Sequence, residues 1–415
     1  MSKAVYIVSA VRTPIGKFGG ALADLTAADL GVAAVRAAME RAFGAAPAPR
    51  EPGSAAPFSL EDALTDKHGP RVSQLIFGNA RPAGVGPNVA RQIAWRAGLG
   101  ADVPAFTVNM ACASGLRAVI LGWQQILLGE SDLAVVGGAE SMSRVPYLLD
   151  GRWGFKMGHQ QLTDSMYRDG FLCPMAQMVM GETAEILAEH YKISREEQDR
   201  FALESHTRAA AAQAAGKFRG EIVPIERTDK KGKVTTFESD EHVRNDVTTA
   251  SLAKLAPVFS KTGTITAGSA SGITDGAAAL VLASEEKVCA LNIKPLARIV
   301  DATVAAVEPR IMGVGPVPAV RKLAARTGWS VAGYDAIELN EAFAAQVIAC
   351  DRELHFDPAK LNPNGGAIAL GHPIGCTGAR ILTTLTHHLR ATGGKRGMAT
   401  LCVSGGLGVA VAIEV

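Results

Sequence analysis

Four segments of this 415-residue chain carry side chains able to do chemistry. Cys112 sits in Val108-Asn109-Met110-Ala111-Cys112-Ala113-Ser114-Gly115-Leu116, where small neighbours lead straight into a helical pattern. A free thiol titrates at about 8.5, and one at a helix N-terminus beside a base can be lowered into the thiolate range, so the segment suits a nucleophile. A packed cysteine at a strand-to-helix turn fits the same residues. His372 lies in a loop, Gly365-Gly366-Ala367-Ile368-Ala369-Leu370-Gly371-His372-Pro373-Ile374-Gly375-Cys376-Thr377-Gly378, whose glycines let backbone and substrate approach an imidazole closely. Its ordinary pKa of about 6.5 suits a general base. Cys402, in Thr400-Leu401-Cys402-Val403-Ser404-Gly405-Gly406, follows a strand pattern and precedes a glycine turn, and by itself reads as core or as chemistry. Asn340, in Glu338-Leu339-Asn340-Glu341-Ala342-Phe343, stands at the head of a helical pattern, where asparagine is a preferred cap.

The elements that must position these residues follow from periodicity. Val5 to Ala10 reads as a strand, and from Thr26 the apolar positions 30, 33, 34 and 37 fall at helical spacing. The chain then alternates: strand 74–78, helix 89–97, strand 105–108, helix 114–128, strand 132–136. That alternation implies βαβ units in a mainly parallel sheet covered on both faces, an α/β class. Residues 141–271 break the pattern with scattered methionines and a long helix 195–215, and it resumes at 277–282. From Pro295 a second half echoes the first, with a helix at 379–389 and a strand at 398–403. Because a helix starts right after each loop, Cys112 and His372 can both lie at helix N-termini facing one shared site.

Taken together, in this order and at these spacings, the cysteine loop, Asn-Glu-Ala-Phe, the Gly-His-Pro loop and Cys-x-Ser-Gly-Gly resemble the thiolase family over essentially the whole chain. Val11-Arg12-Thr13-Pro14-Ile15-Gly16, Gly137-Gly138-Ala139-Glu140-Ser141-Met142-Ser143 and Thr266-Ala267-Gly268-Ser269-Ala270-Ser271-Gly272 are similar to further segments of that family. The resemblance implies a duplicated five-layer αβαβα fold, with an N-terminal half at 1–140 and 272–294, an inserted coenzyme A-binding loop domain at 141–271 and a C-terminal half at 295–415. It implies an acetyl-CoA C-acyltransferase, in which Cys112 is the nucleophile, His372 takes its proton, and Cys402 is the acid/base at the α-carbon of acetyl-CoA. One oxyanion hole would come from His372 and a water held by Asn340. The other would come from the backbone N–H groups of Cys112 and of the turn after Cys402, at Ser404 or Gly405. By the same resemblance Arg244 and Ser251 lie near the nucleotide of coenzyme A, Ser271 near its pantetheine, and Met180, Met312 and Phe343 line the acyl pocket. Short-chain acetoacetyl thiolases often have His-Met-Gly where this chain has Val179-Met180-Gly181, which leaves the acyl-chain length open. A ketoacyl synthase-type condensing enzyme would use a second histidine in place of Cys402. A non-catalytic acyl-CoA or lipid-binding protein would have no reason to keep both cysteines and the histidine.

Composition agrees with a small-molecule partner. With 42 basic against 40 acidic residues there is no electrostatic footprint for nucleic acid or an anionic membrane. No apolar run reaches the roughly 18 residues of a spanning helix, and the N-terminus is too short in apolar residues for a secretory signal, so a cytoplasmic protein is expected. The six cysteines show no metal-binding spacing, so no metal and no cofactor is expected, coenzyme A being a substrate. Acyl-CoA and coenzyme A are the expected partners, in a homodimer or homotetramer, with a beta-oxidation partner subunit as a further option. Residues 45–70, rich in proline, read as a surface insertion.

Overall fold

The computed structural model describes residues 4–54, 71–228 and 232–415; most of the proline-rich insertion lies outside them. The N-terminal half contains strands β1 (Val5–Arg12), β2 (Gln74–Gly78), β3 (Ala105–Val108), β4 (Leu133–Ser141) and β5 (Thr274–Ser284). Its helices are α1 (Ala27–Phe43), α2 (Val89–Arg96) and α3 (Ser114–Leu128). The segment between β4 and β5 carries α4 (Met180–His190) and α5 (Arg195–Ala214). The C-terminal half contains β6 (Ala297–Ala306), β7 (Ala336–Leu339), β8 (Arg396–Val403) and β9 (Leu407–Glu414), with α6 (Pro316–Thr327), α7 (Ala344–Leu354) and α8 (Ile374–Thr392).

Strand order repeats between the halves. The first sheet runs β3-β2-β4-β5-β1 and the second β7-β8-β9-β6, with Leu361 bridged parallel to Ile337 where a strand equivalent to β3 would lie. β2 pairs parallel with both β3 and β4, and β7 pairs parallel with β8, but β5 and β9 each run antiparallel to both neighbours. The sheet is therefore mixed, not mainly parallel. Alternation of strand and helix reports only helical crossovers; β9 returns from β8 by a three-residue turn, and β5 arrives from the long segment after β4. Gly405 (φ +88°) and Gly406 (φ +85°) supply the two left-handed residues of that turn. β1 and β6 join the two sheets along one edge through the pairs Val5–Ile299, Tyr6–Arg298 and Ile7–Ala297.

The central strands bury both faces. On β5, Ala278, Leu280 and Leu282 face an inner cluster with α3 and α8, while Ala277, Ala279, Val281 and Ala283 face α1 and α2. On β8, Ala399, Leu401 and Val403 face the same inner cluster, while Met398 and Cys402 face α6 and α7. The layers are thus α1/α2, first sheet, α3/α8, second sheet, α6/α7. Ala111–Leu128 is, among the described residues, the one helical stretch long and apolar enough to cross a membrane, yet it forms this central layer.

The two inner helices start in backbone contact. A Cβ on Gly115 would stand 2.9 Å from the Ala379 amide nitrogen and from the Gly375 carbonyl oxygen, and one on Gly378 would stand 2.4 Å from the Leu116 nitrogen. No side chain larger than hydrogen fits at either place. The segment after β4 is pinned to β1 by Arg12, which is fully buried and binds Glu221 at 2.6 Å and Asp240 at 2.7 Å.

Candidate active site

Cys112 is placed by a tight turn between β3 and α3. Ala111 adopts φ +44°, a left-handed conformation costing a non-glycine residue about 1 kcal/mol. Ser114 holds the turn, accepting from the Met110 N–H at 2.9 Å and donating to the Ala111 carbonyl at 2.7 Å. The thiol does not rest as a thiolate. Burial pushes the Cys112 pKa up, and Arg81 together with the Ser404 backbone N–H only partly offsets this. This corrects the expectation from helix position alone: desolvation outweighs the helix end, so the thiol needs a base before it can act as a nucleophile.

His372, in the wall of the same cavity, is held as a neutral base. Its Nδ1 lies 2.6 Å from the Thr377 hydroxyl, and that hydroxyl donates its single proton to the Pro373 carbonyl at 3.0 Å. Nδ1–H must then be the donor to Thr377, which leaves the Nε2 lone pair free as a base. Burial, with the nearby Arg380 and Arg81 charges, pushes the His372 pKa down to about 3, so the imidazole is neutral. Two buried carboxylates hold its loop. Glu140, from the first half, accepts from Gly375 N–H at 2.8 Å, and from Asn79, Ala80 and Arg81. Glu341, from the second half, accepts from Ile368 N–H at 3.1 Å, and from Ser205 and Asn362.

Cys402 ends β8 fully buried, its thiol held well above its ordinary pKa by burial and by the neighbouring Cys112 and Cys350 sulfurs. Asn340 is not a helix cap, because α7 begins only at Ala344, where the extended Phe343 takes the cap position. Its side chain is 1% exposed, and neither Oδ1 nor Nδ2 has a protein partner. A buried amide left in that state is suited to holding water.

Cys112, His372, Cys402 and Ser404 line one cavity of about 470 Å³, together with Ser271, Met180, Met312 and Phe343. Ser271 is fixed by its N–H to the Ala342 carbonyl at 3.0 Å, and Phe343 meets Phe259 edge-on, with centroids 5.9 Å apart. Asn340 and Gly405 are not in the lining. Arg244 and Ser251 are exposed and outside it; the Ser251 hydroxyl donates to the Thr248 carbonyl at 2.8 Å in a capping box. Sequence reasoning missed Arg81 in the wall and the brace made by Glu140 and Glu341, while Phe171, a position where the chain departs from short-chain thiolases, does line the cavity. Glu140 and Glu341 stand inside segments already singled out, but nothing in their spacing shows that both reach one loop. Of the remaining cysteines, Cys173, Cys350 and Cys376 are buried and Cys289 is exposed.

The family model "Thiolase, N-terminal domain" matches residues 5–48 and 59–286, and "Thiolase, C-terminal domain" matches residues 293–415. The chain is 48% identical to the acetyl-CoA acetyltransferase of Chromobacterium violaceum over 411 residues, 99% of each chain. It is 46% identical to the acetyl-CoA acetyltransferase of Escherichia coli over 98% of each. Among solved structures it is similar to the Bacillus anthracis acetyl-CoA acetyltransferase, with TM-score 0.91 and 43% identity over 100% of this chain and 99% of that one. It is also similar to human mitochondrial 3-ketoacyl-CoA thiolase in complex with CoA, with TM-score 0.89 and 41% identity over 99% and 98%.

Proposed function

The chain belongs to the thiolase family, and from that premise we propose how its residues divide the work of an acetyl-CoA C-acyltransferase. The enzyme is a thiolase. In the cleavage direction the Cys112 sulfur attacks the C3 carbonyl of a 3-ketoacyl-CoA as its proton passes to His372 Nε2. The C2–C3 bond then breaks, the acyl group stays on sulfur as a thioester, and the Cys402 thiol protonates the C2 carbanion to release acetyl-CoA. The coenzyme A thiol next attacks the acyl-Cys112 carbonyl as its proton passes to the Cys402 thiolate, and the Cys112 sulfur leaves, taking back the proton held on His372, which frees acyl-CoA and restores the site. The condensation of two acetyl-CoA molecules is this sequence in reverse. Splitting the carbon–carbon step in two is what covalent catalysis contributes, and each stage needs its own proton carrier.

Each stage also builds negative charge on a carbonyl oxygen. Protonated His372 Nε2 and a water on Asn340 serve one oxyanion. The Cys112 and Ser404 backbone N–H groups serve the other, Ser404 being preferred to Gly405 because its N–H acts on the Cys112 sulfur. The observation that carries the reading is the convergence of Cys112, His372 and Cys402 on one cavity in a full-length relative of acetyl-CoA acetyltransferases.

Residues 141–271 are read as the unit holding coenzyme A, with Ser271 toward the pantetheine and Arg244 and Ser251 toward the nucleotide. Residues 1–140 with 272–294, and 295–415, are read as the two catalytic halves. The open edge of β3 and the exposed side chains of Trp153, Met157 and Leu162 favour association of copies into a dimer or tetramer. Six free cysteines suit a reducing compartment, hence the cytoplasm, and a place in lipid metabolism such as beta-oxidation. Mass spectrometry after incubation with acetyl-CoA tests the core of this reading. A 42-dalton acetyl adduct is expected on Cys112 and none in Cys112→Ala, and an unmodified wild-type chain would contradict it.

A further inference from the structure

We infer that Arg81 is a recognition point for a carboxylate at the far end of a short acyl chain, so that the cavity takes 3-ketoacyl thioesters bearing a second, anionic terminus. The inference rests on the thiolase reading of the same cavity. Arg81 follows β2, is only 6% exposed and lines the wall beside Cys112 and His372. It lies beneath the segment at Gly170, where a Cβ would stand 2.5 Å from Nε and 2.7 Å from Nη2. A side chain at position 170 would therefore displace the guanidinium, and the Phe171 ring, 5.9 Å from its Cζ, completes the slot.

The guanidinium is incompletely satisfied. Nη1 donates to the Ala80 carbonyl at 3.1 Å, Nε has no partner, and among the described residues no carboxylate forms an ion pair with it. The two acids that act on it electrostatically are otherwise engaged. Glu140 accepts four N–H donors, and Asp169 is held by both Nε and Nη2 of Arg168. A buried cation without a close anion is unfavourable; the cavity is otherwise lined largely by apolar side chains such as Met180, Val258, Phe259, Met312 and Phe343, and its one carboxylate, Glu182, is engaged by the Val179 N–H at 2.7 Å. A methyl-ended chain leaves Arg81 as it stands. A carboxylate-ended one brings two acceptor oxygens to a planar fork of donors, the pairing guanidinium geometry favours. Because Arg81 lines the same cavity of about 470 Å³ as Cys112 and His372, the anion would sit a short chain away from the reacting carbonyl.

The test compares coenzyme A-dependent cleavage of two six-carbon 3-ketoacyl-CoA substrates, one ended by a methyl group and one by a carboxylate. The wild-type protein is expected to favour the carboxylated substrate in kcat/KM by about tenfold or more. Arg81→Leu is expected to collapse that ratio by about 10- to 100-fold, and Arg81→Lys to restore part of it. A wild-type preference for the methyl-ended substrate overturns the inference, and so does an equal loss on both substrates in Arg81→Leu. Cleavage of the methyl-ended substrate reports the thiolase reading by itself, so the two failures are distinguishable. Should Arg81→Leu fail to fold, product inhibition of the wild type decides: succinyl-CoA inhibiting more tightly than butyryl-CoA supports the site, and the reverse order overturns it.

Discussion

The two halves of the molecule share one strand order and part company at the strand ends. Asn79 follows β2 and Asn340 follows β7, each donating its backbone N–H at 3.0 Å across the sheet, to Val108 and Thr400 respectively. In the first half the Asn79 amide is tied down, donating to the Ala139 carbonyl at 3.0 Å and to Glu140 at 2.7 Å. In the second half the Asn340 amide touches no protein partner. An asparagine follows the corresponding strand of each half, structural on one side and left available on the other. On the proposed reading the first half supplies the acyl carrier and one side of the brace, and the second supplies both proton carriers. The fold repeats what aims a loop at the centre; chemistry is assigned by what each loop leaves unsatisfied.

That contrast can be broken by experiment. The largest effect is expected at the acyl carrier: Cys112→Ala should lower kcat for thiolysis by about 10⁴-fold or more. Cys402→Ala should lower turnover by about 10³-fold yet still yield the acetyl adduct on Cys112 by mass spectrometry. Loss of the adduct in that variant would mean that the halves do not divide the two stages. Asn340→Ala should cost about 10- to 100-fold in kcat with a small change in melting temperature. Asn79→Ala should show the opposite balance, losing about 1–3 kcal/mol in urea unfolding. Equal behaviour of the two asparagines would remove the distinction drawn between them.

Glu140→Gln and Glu341→Gln should each destabilise by about 2–4 kcal/mol in denaturant titrations, since each replaces acceptor-only oxygens that face several N–H donors. A response from one alone would show that the histidine loop hangs from a single half. A further effect concerns acid. The folded His372 pKa of about 3 lies below the value of about 6.5 for an unfolded chain. Between those values the unfolded state binds a proton that the folded state does not. His372 therefore makes stability fall as pH drops from 6.5 toward 3, by up to about 1.4 kcal/mol per unit, and costs nothing above 6.5. His372→Gln should flatten the unfolding free energy measured between pH 4 and 6; an unchanged slope would place the histidine in a wetter site.

The first half was largely legible from residue pattern. Strands 74–78 and 105–108 and helix 114–128 match their expected bounds, because periodicity and burial agree there. Helix 195–215 is found at Arg195–Ala214, and the expected strand 277–282 is the middle of the eleven-residue β5. The hairpin strand β9 and the mixed ladder were not readable, since strand direction depends on what each connection does in space. Cys112, Cys402 and His372 stood out only as a set, each alone being compatible with a merely structural place. Charge was the least legible. Helix position argued for a lowered Cys112, but burial decides its titration, and burial is a property of the assembled layers. Arg81 carried no motif, and its role arises from the missing side chain at Gly170, far along the chain.

The backbone contact between Gly115 and the start of α8 has a consequence for how such a protein can change. Elsewhere in the core, a new side chain shifts its neighbours by fractions of an ångström, and those shifts spread through the packing. Here the separation of the cysteine and histidine loops is gauged by main chain resting on main chain, a stop that holds no adjustable side chain. Substitutions can therefore accumulate in the outer layers and the acyl wall, altering which substrates enter, while the spacing of the reacting atoms stays as it was set.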